Sequence, residues 1–148
     1  MSIKSVFATP FAKIATKRVL KWASNPHKTQ DKVFKKLISK AKNTAFGKDH
    51  DFNKIVTYDD FKKRVKVTDY EGLRKYADRV VAGESDILWP GKPLYFAKTS
   101  GTTSGAKYIP ITKDSMPTHI KAARNALLFY IVEKNNRSFV DGKMMFLQ

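Results

Sequence analysis

Apolar and polar positions alternate in helical periods along most of the chain. Phe11, Ile14 and Trp22 share one helical face, with Thr9 placed as N-cap and Pro10 at the first helical position. A second helix is written more plainly. Val33, Phe34, Leu37, Ile38, Ala41 and Ala45 form one broad stripe, Thr29 can cap it, and Gly47 is placed to end it. Lys32, Lys35, Lys36, Lys40 and Lys42 fall off that stripe and predict a solvated face. A helical turn is predicted over 58–63, and a helix over 70–82 with Gly83 stopping it. Pro90, Gly91 and Pro93 then punctuate a turn. Two short strands are predicted at 94–98 and 108–111. Beyond them a long helix carries Met116, Ile120, Ala123, Leu127 and Ile131 along one face. Thr112 or Ser115 can cap it, and Ser115 seats Pro117 more comfortably in the first turn. Residues 143–148 read as a buried strand with no turn after it, the pattern of a chain cut inside a strand.

The chain has 148 residues, 42% of them apolar, with no cysteine. That length suits a single domain with a core of its own. The aromatic content excludes a disordered tail. No run of 18 apolar residues exists, which excludes a transmembrane helix. The missing cysteines exclude disulfides, thiolate nucleophiles and cysteine-based zinc sites, and they agree with a cytoplasmic protein. Residues 1–30 carry Lys4, Lys13, Lys17, Arg18, Lys21 and Lys28 without an acid, a composition shared with transit peptides. The single arginine and the helix signals favour an ordinary helix there.

Charge is the unusual feature: 29 basic against 13 acidic side chains, a net +16. Residues 1–66 hold 17 bases and 5 acids. Such a balance invites polyanions. Yet 23 of the bases are Lys and only 6 are Arg, which argues against base readout and bidentate phosphate recognition.

Between the two predicted strands lies Thr99-Ser100-Gly101-Thr102-Thr103-Ser104-Gly105-Ala106-Lys107. Two glycines permit close backbone approach, hydroxyls and N–H groups can cradle an anion, and Lys107 adds a point charge. This is a phosphate-binding arrangement. It is not a Walker A loop: the glycines are one residue too close, Ala106 separates Gly105 from Lys107, and Tyr108 follows the lysine. Nor is it the dinucleotide fingerprint. The remaining alternative is a polar hairpin loop with no ligand. Other candidates are weaker. His27, His50 and His119 share no metal-ligand spacing, and Asp49-His50-Asp51 reads as a polar turn. Asp59 and Asp60 point apart on a helix and make a poor acid–base pair. Trp89 and Tyr95 could flank a pocket but are expected to pack in the core.

The loop resembles the phosphate loop of adenylate-forming enzymes, the acyl-CoA synthetase and luciferase-like superfamily. Its flanks, Phe96-Ala97-Lys98 and Tyr108-Ile109-Pro110-Ile111-Thr112, resemble the auxin-responsive acyl acid amido synthetase family, known from plants and bacteria. Thr44-Ala45-Phe46-Gly47, Tyr58-Asp59-Asp60-Phe61, Val67-Thr68-Asp69-Tyr70, Gly83-Glu84 and Trp89-Pro90-Gly91 agree in order. The chain is read as a bacterial N-terminal fragment of that family. Ser104 stands where Gly is common in the plant pattern, and the Gly-to-Lys spacing is one residue shorter. Those departures point away from a plant hormone as substrate and leave the phosphate role intact.

The resemblance implies a two-step ligase using ATP and Mg²⁺: a carboxylic acid becomes an acyl-adenylate, and an amine such as an amino acid takes the acyl group. It implies that Thr99, Ser100, Gly101, Thr102, Thr103, Ser104, Gly105 and Lys107 hold phosphate, with Lys107 catalytic on the leaving pyrophosphate. Metal ligands, adenine contacts and most of the acyl pocket are expected outside the chain. The expected fold is α/β: N-terminal helices leading into the first part of a sheet-and-helix adenylate-forming domain, incomplete, as one domain over 1–148 with no internal boundary. The isolated chain is expected to be inactive, with no specific nucleic-acid partner and no membrane association. The alternative is a basic, non-catalytic module that binds polyanions through residues 4–66, which has no need of the loop.

Overall fold

A computed structural model describes residues 3–99 and 105–143, without the side chains of Lys4 and Phe139. Helices α1 (Ile3–Ala23), α2 (Pro26–Ala41), α3 (Ala45–Asp49), α4 (Tyr58–Arg64) and α5 (Tyr70–Val81) precede strands β1 (Tyr95–Lys98) and β2 (Tyr108–Ile111). Helix α6 (Met116–Lys134) follows, and 3₁₀ turns occupy Phe52–Lys54 and Arg137–Asp141. The predicted strand at 143–148 falls almost wholly outside the described residues. The architecture is helix-rich, with one antiparallel two-stranded ribbon, consistent with an α/β class. No helix among the described residues is long and apolar enough to cross a membrane.

Two compact units form, one joining the stretch up to Thr29 to that from Pro117 on, the other spanning Gln30 to Met116. In the first, Ala12, Leu128 and Ile131 are buried, with Ala8, Ala15, Val132 and Val140 packed against them. Here the sequence reading needs correction. Helix α1 starts at Ile3, so Pro10 lies inside it and Thr9 is no cap. Phe11, Ile14 and Trp22, the expected core face, are each more than half exposed. The buried face is the opposite one, Ser5, Ala12 and Thr16. Small side chains let the neighbouring elements approach closely, and packing along that face extends the helix past its proline. Thr16 is buried at no polar cost because its hydroxyl donates to the Ala12 carbonyl at 2.9 Å. Helix α6 buries Leu128 and Ile131, whereas Ile120 at the other end of the predicted stripe is exposed. The helix ends at Asn135, with φ of 47°, and the Asn136 N–H returns to the Ile131 carbonyl.

In the second unit, Ile38, Ala41, Phe52 and Ile55 form one buried cluster, while Tyr76, Val80 and Ile87 form another. Phe46 belongs to both, edge-on to Phe52 at 5.7 Å and to Tyr76 at 5.1 Å. Helix α2 starts at Pro26, three residues before the expected cap, and Thr29 instead donates back to the Trp22 carbonyl at 3.0 Å. It stops at Ala41, short of Gly47, for a local reason. The Thr44 hydroxyl donates to the Ala41 carbonyl at 2.7 Å and accepts from the Gly47 N–H at 3.0 Å, closing one helix and capping the next. Gly47 therefore sits inside α3, buried. The N–H groups of Ala45 and Phe46 are taken by the carbonyls of Asp86 and Ile87.

Where the chemistry is local, the predicted elements appear. Thr57 and Asp60 form a capping box at α4. Asp69 caps α5, and Gly83 ends it with φ of 92°. The ribbon pairs Tyr95 with Ile111 and Lys98 with Tyr108.

Candidate phosphate-binding site

The ribbon carries the hydroxyl-rich loop on its open end. Lys98 and Tyr108 are the last paired residues, and one further bond, the Thr99 N–H to the Lys107 carbonyl at 3.1 Å, closes the neck. Ser100, Gly101, Thr102, Thr103 and Ser104 lie outside the described residues. Gly105 is described, with φ of 79° and open space where a Cβ would stand, so backbone conformation alone calls for glycine there. Among the named site residues, the structure thus brings Thr99 and Lys107 together.

Lys107 is half-buried, and its ammonium nitrogen stands 5.6 Å from the centroid of the Tyr70 ring. Tyr70 is the first residue of α5. Its hydroxyl accepts from the Tyr108 N–H at 3.0 Å, so it touches both residues at the exit of the loop. The turn that presents Tyr70 is tightly built. Asp69 accepts from the Gly72 N–H at 3.0 Å, and a Cβ on Gly72 would stand 1.9 Å from the Thr68 hydroxyl. Lys98 lies 6.0 Å from the ring of Tyr108, which meets Phe96 edge-on. Tyr70 closes one of the segments that carry the family resemblance, but its contact at the loop exit spans 38 residues, and no local spacing predicts that contact.

Among the described residues, the ion pairs lie elsewhere: Asp31 with Lys35, Asp114 with Lys40, Asp51 with Lys54 and Arg64, Glu71 with Arg74, Glu84 with Arg79. Among the described residues no ion pair takes Lys107 or Lys98. An ammonium without a carboxylate, beside a loop of hydroxyls, fits phosphate oxygens by the chemistry of its donors.

The remaining candidates have structural roles. Asp60 is held below the usual carboxylate range, chiefly by the Thr57 backbone N–H, then by the Thr57 hydroxyl and the Val56 N–H. Asp59 is lowered by Lys62, its partner at 2.7 Å. His50 stacks on Phe46 and lies 2.9 Å from the Phe46 carbonyl through Nδ1, while Asp49 accepts from the Tyr76 hydroxyl. His27 and His119 are exposed. Among the described residues no cluster of three acidic or histidine side chains could hold a metal. Trp89 packs on the core as expected and donates to Asp114 at 3.2 Å, but Tyr95 is exposed. It sits on a two-stranded ribbon that has no second layer over that side chain among the described residues. An apolar cavity near Val80, Trp89 and Pro110 measures about 20 Å³, room for a water and too small for an aromatic acid.

Residues 15–148 match the GH3 family N-terminal domain. An indole-3-acetic acid-amido synthetase of Arabidopsis thaliana, GH3.15, is 33% identical over 99 residues, 66% of this chain and 16% of the relative. A second, GH3.2, is 28% identical over 130 residues, 86% of this chain and 23% of the relative. The 4-substituted benzoates-glutamate ligase GH3.12 of the same plant is 35% identical over 94 residues, 59% of this chain and 15% of the relative. The chain therefore spans less than a quarter of each of these relatives. No solved structure gives a significant match.

Proposed function

Because the chain belongs to the GH3 family, as its N-terminal domain, we propose that it is the phosphate-holding part of an acyl acid amido synthetase. In this reading a carboxylate oxygen attacks the α-phosphorus of ATP, the bond to the bridging oxygen breaks, and pyrophosphate leaves. An amine then attacks the acyl carbon, AMP departs, and the amine nitrogen gives up a proton. Mg²⁺ would shield the phosphate charge; its ligands, the adenine contacts and most of the acyl pocket are expected outside these residues. We place the enzyme in the cytoplasm, acting on small soluble acids and amines.

The observation that carries this reading is Lys107: a half-buried ammonium at the exit of a hydroxyl-rich loop, without an ion-pair partner among the described residues. Its role follows from where charge develops. Negative charge on the β-phosphate rises as pyrophosphate departs, so a cation held there favours the transition state over the ground state. Ser100, Thr102, Thr103 and Ser104 would donate to the same oxygens. Thr99 would keep the neck shut through its bond to the Lys107 carbonyl.

The two half-reactions separate this role from a structural one. In a complete synthetase carrying this segment, Lys107→Ala is expected to slow adenylation about 10²–10³-fold. Amide formation from a supplied acyl-adenylate should lose far less, since no pyrophosphate leaves there. Lys107→Arg should rescue poorly, because a planar fork does not replace a compact ammonium. Equal losses in both steps would make Lys107 structural. The 148-residue chain alone should show only background acid-dependent ATP–pyrophosphate exchange.

A further inference from the structure

We propose that Tyr70 is the positioning residue for Lys107, holding its ammonium ready for the pyrophosphate moiety of the nucleotide. This rests on the reading of Lys107 given above and extends it to a residue on another element. Two contacts carry it. The Tyr70 ring lies under the Lys107 ammonium at 5.6 Å, and the Tyr70 hydroxyl accepts from the N–H of the next residue, Tyr108, at 3.0 Å. One side chain thus fixes both the head of Lys107 and the backbone that follows it.

The need for such a holder is physical. A lysine has four rotatable side-chain bonds and loses up to about 2 kcal/mol of rotamer freedom when ordered. A carboxylate could order it, but would also neutralise the charge the phosphate requires. An aromatic face attracts the ammonium while leaving its three N–H donors and its charge available. The holder itself is rigid. Tyr70 opens α5, whose first turn is capped by Asp69, and the Thr68 side chain lies over Gly72 in that turn.

The test uses the 148-residue chain, inorganic pyrophosphate as ligand, and calorimetry together with the NMR shifts of the Lys107 ε-methylene protons. In the unsubstituted chain those protons should resonate upfield from ring currents. Lys107→Ala should weaken pyrophosphate binding about tenfold. Tyr70→Leu, which removes ring and hydroxyl, should abolish the upfield shift and weaken binding about 3–5-fold. Tyr70→Phe keeps the ring, so the upfield shift should survive and binding should fall less than twofold. The double variant Tyr70→Leu/Lys107→Ala should bind no worse than Lys107→Ala alone, since Tyr70 acts through the lysine. Additive losses in the double variant, or a Tyr70→Leu chain that binds normally while Lys107→Ala does not, would overturn the positioning role and leave the phosphate reading standing. A chain that binds no pyrophosphate at millimolar concentration, or binds it regardless of Lys107, would overturn the phosphate reading itself and the positioning role with it.

Discussion

Tyr76 is almost wholly buried, 3% exposed, and its hydroxyl donates to Asp49 at 2.8 Å. Burial pushes its pKa up to about 12, and the bond to the Asp49 carboxylate pushes the same way. In the unfolded chain the phenol titrates near 10. The protonated form is thus favoured by folding, so its contribution to stability is complete below pH 10 and is lost as pH rises towards 12. Over that window the native state should lose on the order of 2 kcal/mol through this group. Tyr76→Phe, which cannot ionise, should remove that part of the alkaline decline. Urea unfolding of both proteins at pH 9, 10 and 11 checks it, and parallel declines would mean that Tyr76 ionises alike in both states. At this scale the sequence was legible where chemistry is contiguous. Thr99 and Lys107 are named by a nine-residue run, whereas Tyr70 and Tyr76 matter through partners 38 and 27 residues away. Tyr76 lies in none of the short segments that carry the family resemblance, and the Val67-Thr68-Asp69-Tyr70 segment marks Tyr70 without pointing to its partner.

Helix α3 shows how an element can contradict its own composition. Gly47 looks like a stop signal and is instead a close-packing position. A Cβ there would stand 2.1 Å from the Ala41 carbonyl oxygen, a backbone atom that cannot step aside alone. Helix propensity favours alanine over glycine by about 0.5–1 kcal/mol. Overpacking opposes it by about 1–3 kcal/mol. Gly47→Ala is therefore expected to destabilise the protein, by about 1–2 kcal/mol net, measured as the shift in urea midpoint at constant slope. A stabilised variant would mean that the junction between α2 and α3 is looser than described. The same contrast explains which boundaries could be read beforehand. The ends of α4 and α5 depend on caps and a glycine within a few residues, and they fall where expected. The start of α1 depends on packing against distant residues, and it does not; the end of α2 is set by the Thr44 hydroxyl, a local cap that apolar periodicity does not register. Periodicity names a face of α1 without saying whether it turns inward. Bulk suggested Phe11 and Trp22, and close approach selected Ala12.

At the scale of the molecule, much apolar surface stays outside the buried clusters. On α1, Ile3, Phe7 and Ile14 are exposed along one side, opposite the buried Ala12. An apolar stripe of this kind favours association. Phe7→Glu/Ile14→Glu should raise the monomer fraction in sedimentation velocity at high protein concentration while leaving helix content by circular dichroism unchanged. An unchanged sedimentation profile would show that the stripe is innocuous. Net charge of +16 works against association, so the contrast should be clearest at high salt. One arrangement in the fold bears on time as well as space. The first N–H groups of α3 are satisfied by the carbonyls of Asp86 and Ile87. Helices α2 and α4 draw their capping bonds from near neighbours, which leave the ribosome together with them. Helix α3 lies between them yet must wait for a segment about forty residues further on, after α5 has been made. Synthesis order and folding order therefore part company here: the middle of the chain is finished after the parts on either side of it.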